Sequence, residues 1–166
     1  MMKKTAFICG AALIMAMATA CGNSSTASTT AAATAASGTE VTAPASDVQM
    51  QYISAADAKA EIGTDGVTFL DVRKADDYKA GHIDGAVSVD MDAAKEGDFQ
   101  AGVASMEPIA EEHDDKLILI CYSGKRYAQA STNVLSALGY DMSKVYTLEG
   151  GMTQWGEDFP GETVAE

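Results

Sequence analysis

The sequence predicts an α/β fold in which a central, mostly parallel sheet of five strands carries helices on both faces. Short apolar, β-branched runs alternate with helical patterns along the chain, and this alternation is typical of parallel sheets. The run LILIC at 117–121 is the most apolar segment outside the N-terminus. We therefore expect it to be a central strand that is buried on both faces.

The other strands are predicted from short apolar runs bounded by turn residues. The run VTFLDV at 67–72 is rich in β-branched residues, which suits a buried strand. The run GAVSV at 85–89 predicts a strand less strongly. Strands are predicted at residues 51–53, 67–72, 85–89, 117–121 and 145–148.

The predicted helices lie between these strands. Ser54 followed by Asp57 resembles a capping box at a helix start. Apolar residues recur at helical spacing over 130–138, and Gly139 is expected to end that helix. Pro108 leaves undecided where the helix in the acidic segment ends. Helices are predicted at residues 54–62, 75–79, 103–110, 127–138 and 151–158.

The N-terminus has the pattern of an export signal. Lys3 and Lys4 precede an uncharged apolar run at 6–18, shorter than the ~20 residues of a membrane-spanning helix. Cys21 directly follows the small residue Ala20. This arrangement resembles a bacterial lipoprotein signal, which implies cleavage before Cys21 and lipid on that cysteine. An ordinary secretory signal cleaved near this point is the alternative.

We therefore expect three parts in the chain. Residues 1–20 are the signal peptide, and residues 21–47 are the lipidated N-terminus and a flexible stalk rich in Ala, Ser and Thr. Such a composition buries too little apolar surface to offset the entropy cost of folding. Residues 48–166 form the folded domain, expected outside the cytoplasm as a monomer that contacts a bacterial membrane through the lipid alone.

The charge of the chain excludes some classes of function. Asp and Glu total 24 against 11 Lys and Arg, a net charge of −13, which argues against a nucleic-acid groove or a surface for anionic lipid. Three cysteines are too few for a disulfide-stapled scaffold. The acidic stretch at 107–115 lacks the spacing of metal ligands, so no metal site is predicted.

Cys121 is the thiol that this scheme leaves free, because Cys9 lies in the signal and Cys21 carries lipid. It ends a predicted central strand, where ligands bind in open parallel sheets. The following loop exposes backbone N–H groups and the positive end of a helix, and Lys125 and Arg126 add two cations. These features favour a nucleophilic thiolate. The alternative is a small buried residue of the core.

Several segments together resemble a single-domain rhodanese. They are LDVR at 70–73 with YKAGHIDGA at 78–86, LICYSGKR at 119–126, and LEGGM at 148–152 with Trp155. The resemblance implies a rhodanese-like fold and a thiosulfate or persulfide sulfurtransferase without a metal or organic cofactor. It also implies that Cys121 becomes a persulfide, which then passes its outer sulfur to cyanide or a thiol.

The resemblance further assigns roles to the loop. Backbone N–H groups of Tyr122, Ser123, Gly124, Lys125 and Arg126 would stabilise the anionic sulfur, and the two cations would attract the donor. Tyr127 stands where the family often has Ser, at a possible border of the pocket on the acceptor side. Asp71 and Arg73 either border the pocket as well or form an internal ion pair.

Alternative functions remain open on the sequence alone. Cysteine phosphatases and arsenate reductases place five residues between Cys and Arg, whereas four separate Cys121 from Arg126 here. A tethered module that binds a partner or senses thiol oxidation is the non-enzymatic alternative. His82 is expected in a structural turn, and His113 on a solvated acidic face.

Overall fold

The computed structural model describes residues 41–166, and these form a five-stranded, wholly parallel sheet. The strands are β1 (Gln51–Ile53), β2 (Val67–Asp71), β3 (Val87–Ser88), β4 (Lys116–Ile120) and β5 (Val145–Leu148). Their order across the sheet is β1-β5-β4-β2-β3. The predicted fold class is confirmed, and the apolar strand β4 lies at the centre of the sheet.

Six helices lie between or after the strands within the described residues. They are α1 (Ala55–Ala60), α2 (Ala75–Ala80), α3 (Asp92–Lys95), α4 (Phe99–Glu112), α5 (Arg126–Ala137) and α6 (Gly151–Asp158), with a 3-10 turn at Met142–Lys144. The Ser54 side chain accepts a hydrogen bond from the backbone N–H of Asp57 at 3.1 Å, so it caps α1 as expected.

Two apolar clusters cover the two faces of the sheet. Because side chains alternate along a strand, Leu117, Leu119 and Cys121 face one cluster, while Ile118 and Ile120 face the other. The first cluster includes buried residues of α4 and α5, and the second includes residues of α1, α2 and α6. The central strand is therefore buried on both faces, and its C-terminal end opens toward the loops.

The segment between β3 and β4 differs most from its prediction. The short helix α3 was not expected, and α4 runs from Phe99 to Glu112 rather than over 103–110. Pro108 lies inside α4, which continues past it because Met106 and Ile109 on either side are buried against the core. The third strand is shorter than predicted, with two residues in β3.

The predicted signal peptide and the proposed lipid site at Cys21 lie outside the described residues. The Val41 side chain packs against the first core cluster, and its carbonyl accepts a hydrogen bond from Gln100 Nε2 at 2.8 Å. Asp47 accepts a hydrogen bond from Asn133 Nδ2 at 2.9 Å. Contacts with the domain therefore begin before Val48. Within residues 41–166, the structure contains no helix of the length and apolarity needed to cross a membrane.

Candidate active site

Cys121 immediately follows β4, at the carboxyl edge of the sheet. Strand β4 pairs with β5 on one side and β2 on the other, so Cys121 lies between the ends of these two strands. The thiol is free, and only 1% of the residue is exposed. Small reactants must therefore reach it through a cavity at this edge of the sheet.

The loop at 122–125 connects Cys121 to the first residue of α5, Arg126. In the described part of the chain, the backbone N–H groups of this loop donate to no protein acceptor, and α5 has no side-chain N-cap. Gly124 has a φ of 66°, and a Cβ there would lie 2.7 Å from the Leu148 carbonyl oxygen. The loop thus offers free N–H donors beside a helix N-terminus, an arrangement that binds anions.

The start of α6 holds the other side of the loop. Met152 N–H donates to the Cys121 carbonyl at 2.8 Å, and Thr153 N–H donates to the Tyr122 carbonyl at 3.0 Å. The Thr153 hydroxyl also donates to the Tyr122 carbonyl at 2.9 Å. Because C=O and N–H of a trans peptide point in opposite directions, the N–H groups of Tyr122 and Ser123 face away from α6.

A cavity of about 200 Å³ lies against the thiol. It is lined by Lys95, Cys121, Tyr122, Ser123, Lys125, Arg126 and Tyr127. The structure therefore brings together most of the predicted site residues. Gly124 instead borders a neighbouring cavity of about 420 Å³, together with Ser123 and Lys125.

The two tyrosines of the cavity are fixed by carboxylates. Tyr127 hydroxyl donates to Asp92 Oδ1 at 2.5 Å, and Tyr122 hydroxyl donates to Asp77 Oδ2. Their rings meet edge to face with centroids 5.1 Å apart. Burial, and then the neighbouring carboxylates, raise the pKa of both phenols, most strongly for Tyr127. The two carboxylates thus hold both phenol rings in place at the cavity.

Asp71 and Arg73 form a buried ion pair and do not line the cavity beside Cys121. Arg73 Nε donates to Asp71 Oδ1 at 2.9 Å, and Nη2 donates to Oδ2 at 2.6 Å. Arg73 Nη2 also donates to the Gly81 carbonyl at 2.7 Å. Of the two roles expected for this pair, the structure shows the internal ion pair, which joins the end of β2 to the end of α2.

The two histidines lie in different structural settings. His82 is buried and stacks on Tyr78 with ring centroids 3.8 Å apart, while its backbone pairs with Val164 near the C-terminus. His113 Nδ1 lies 3.3 Å from Thr68 Oγ1, so it is half-buried rather than on a fully solvated face. Neither histidine lines the cavity at Cys121.

Some site residues were missed by sequence reasoning. Lys95 lines the cavity although it precedes Cys121 by a whole helix and strand, and Asp92 and Asp77 hold the two phenols. The glycine pair at 150–151 was part of the family resemblance but carried no assigned role. A Cβ on Gly151 would clash with the loop backbone, so glycine is required there. The glycine pair was the signal in the sequence for this close approach.

The arrangement suits nucleophilic chemistry on a small anion. A thiol lies at the base of a cavity that Lys125 and Arg126 also line, and the loop that follows the thiol has N–H groups without a protein acceptor among residues 41–166. Among the described residues, no group of His, Cys, Asp and Glu side chains could hold a metal ion.

Comparison with known sequences agrees with this geometry. The family model for the rhodanese-like domain matches residues 54–158. The thiosulfate sulfurtransferase GlpE of Pseudomonas entomophila is 29% identical over 100 residues, which cover 60% of this chain and 80% of that protein. A tRNA uridine(34) hydroxylase of an Enterobacter species is 30% identical over 111 residues, 67% of this chain. The match spans 30% of that hydroxylase.

Solved structures share the fold. A rhodanese-related protein from Thermoplasma volcanium superposes with a TM-score of 0.51 at 26% identity, covering 70% of this chain and 99% of that one. A rhodanese-like domain protein from Staphylococcus aureus gives a TM-score of 0.52 at 22% identity, with coverage of 70% and 99%. The second likeness concerns the fold alone.

Proposed function

This chain belongs to the rhodanese-like domain family, and on that premise we propose that it is a sulfurtransferase in which Cys121 carries the transferred sulfur. The observation that supports the proposal is the position of the thiol. It lies at the base of a small cavity, at the start of a loop whose backbone N–H groups have no protein acceptor within residues 41–166. Such a loop can stabilise an anionic sulfur at the point where it forms.

The proposed reaction has two displacement steps. The Cys121 thiolate attacks the outer sulfur of thiosulfate, a new S–S bond forms, and the old S–S bond breaks as sulfite leaves with the electron pair. The anionic persulfide then meets a thiophilic acceptor such as cyanide. The acceptor's electron pair attacks the outer sulfur, the persulfide bond breaks, and thiocyanate and the thiolate are released. A persulfide donor and a thiol acceptor would use the same two steps.

The residues around the thiol have distinct parts in this scheme. Lys125 and Arg126 line the cavity and attract an anionic donor. The loop amides donate hydrogen bonds to the anionic persulfide, whose outer sulfur extends about 2.05 Å beyond the cysteine sulfur. No cofactor takes part in either step.

The place of the enzyme in the cell is a further part of the proposal. The signal-like N-terminus supports an extracytoplasmic domain that is held to a bacterial membrane by lipid on Cys21. Mass analysis of the chain extracted from membranes tests it, because a Cys21→Ser chain should lose the mass of the lipid. If the natural chain has the mass expected without lipid, the lipid anchor is refuted, whereas the proposed activity is unaffected.

Intact-mass analysis tests the activity. After incubation with thiosulfate, the protein should gain the mass of one sulfur atom, and cyanide should remove it with release of thiocyanate. The Cys121→Ser variant should show no gain, and thiocyanate production should fall by about a thousandfold or more, as for other enzymes that lose their nucleophile. Retention of full activity in that variant would refute the proposal. A folded wild-type chain that never gains sulfur indicates the non-enzymatic module instead.

A further inference from the structure

The cavity beside Cys121 has one wall that does not come from its loop. Lys95, the last residue of α3, lines the cavity together with the loop residues. Its side chain is only 13% exposed, which is unusual for a lysine at the surface. The lysine is therefore held against the cavity rather than extended into solvent.

Three contacts hold Lys95 in place. Its Nζ lies 3.6 Å from Asp92 Oδ1, forms an ion pair with Glu96, and lies 5.2 Å from the centroid of the Tyr127 ring. The same Asp92 accepts the Tyr127 hydroxyl, and its Oδ2 lies 3.3 Å from Lys74 Nζ. One carboxylate thus positions both the lysine and the tyrosine of this wall.

We propose that Lys95 determines the charge of the preferred sulfur donor, favouring a dianion such as thiosulfate over a monoanion that carries the same reactive sulfur. This inference rests on the proposed sulfurtransferase function. Lys95, Lys125 and Arg126 converge on the cavity from two separate segments of the chain. Because Coulomb attraction is proportional to the charge of the ligand, an extra cation stabilises a dianion about twice as much as a monoanion.

Two carboxylates, Asp92 and Glu96, lie around Lys95. In a Lys95→Met variant, both would keep their negative charge, whereas the ammonium that they contact would be lost. Arg126 also lowers the pKa of Glu96, after the larger effect of Lys95, so this carboxylate belongs to the electrostatic surroundings of the cavity. The repulsion of the donor by Asp92 and Glu96 is present in both proteins, so the difference between wild type and variant reports the loss of the Lys95 charge.

A pair of donors with the same leaving chemistry tests the proposal. Thiosulfate carries two negative charges, and methanethiosulfonate carries one. Each gives its outer sulfur to the thiolate and releases sulfite or methanesulfinate with the electron pair. With cyanide as acceptor, kcat/KM for the donor reports the first displacement step. For Lys95→Met we expect kcat/KM to fall about threefold with the monoanion. With the dianion we expect a fall of about tenfold, because doubling the interaction energy squares the factor.

Two variants serve as controls. Lys95→Arg keeps the charge and should restore the ratio of kcat/KM between the two donors. Lys79 lies in the last turn of α2, is exposed, and does not line the cavity, so Lys79→Met should leave that ratio unchanged. If Lys95→Met does not fold, Lys95→Gln provides the same loss of charge with a polar side chain.

The outcomes separate this inference from the proposed function. A lower dianion preference in Lys95→Met, restored by Lys95→Arg, supports it. An equal loss with both donors indicates a purely structural lysine, and an equal shift in Lys79→Met indicates the overall charge of the chain; either result overturns the inference while the sulfurtransferase stands. A wild-type chain that accepts sulfur from neither donor overturns both.

Discussion

Replacing Gly151 by alanine places a methyl group where the backbone of the Cys121 loop already lies. The added Cβ would be nearest the Cys121 carbonyl oxygen and 2.7 Å from both the Ser123 nitrogen and the Tyr122 carbonyl carbon. All three atoms belong to the backbone, so no side-chain rotation can relieve the contact. Gly151 also has a φ of 58°, in the left-handed region that favours glycine.

The expected cost follows from these two effects. The left-handed conformation costs an alanine about 1–2 kcal/mol relative to glycine. Forcing atoms into a closely packed region adds about 1–3 kcal/mol. We therefore expect Gly151→Ala to lower the free energy of unfolding by about 2–5 kcal/mol, a large share of the roughly 5–15 kcal/mol that a domain has.

Urea unfolding measures this cost, with two glycine variants as controls. Gly156 lies in the same helix with nothing within 4 Å of an added Cβ, so Gly156→Ala should raise the free energy of unfolding by about 0.5–1 kcal/mol. Gly63 has a φ of 72° and open space, so Gly63→Ala isolates the cost of the left-handed conformation.

The thiocyanate assay gives the second measurement for Gly151→Ala. Displacing the Cys121 and Tyr122 carbonyls would turn the loop amides away from the sulfur, so the activity of the molecules that remain folded should fall by at least tenfold. The reasoning is refuted if Gly151→Ala is no less stable than Gly63→Ala and transfers sulfur at the wild-type rate.

Two further predictions concern stability away from the cavity. Arg73→Met leaves the buried Asp71 carboxylate without its partner and should cost about 3–5 kcal/mol in urea unfolding, whereas adding Asp71→Leu should recover part of the loss; no recovery would contradict the ion-pair explanation. Burial, and then Asp115, raise the pKa of Tyr140 from 10.0 to about 12. Its contribution to stability is present below pH 10 and is lost as the pH rises toward 12, so Tyr140→Phe should show a shallower decline over that range, and an unchanged decline would refute this.

The sheet could be predicted from sequence because its signals are local. Residues 145–148 and 151–158 are predicted with the bounds that the structure has, since a β-branched run and a glycine pair mark them. The segment between β3 and β4 could not be predicted as well. The four-residue helix α3 has no periodicity to detect, and α4 continues past Pro108 because tertiary packing outweighs the local preference.

The same distinction holds for the site. The loop after Cys121 could be predicted because its strand end, glycine and cations are contiguous in sequence. Lys95 could not, because its place in the cavity depends on α3 packing beside α5, which no local pattern specifies. The alternative roles of Asp71 and Arg73 were also undecidable, since both depend on which way the Arg73 side chain turns.

The hydrogen bonds from Met152 and Thr153 to the Cys121 loop have a consequence for biosynthesis. A ribosome makes the loop well before it makes α6, so a nascent chain that ends before residue 150 lacks the contacts that orient the amides. In the proposed enzyme, the loop therefore reaches its anion-binding form only after α6 has emerged and docked. Sulfur transfer through the Cys121 persulfide is thereby expected only once the whole domain has been made and folded.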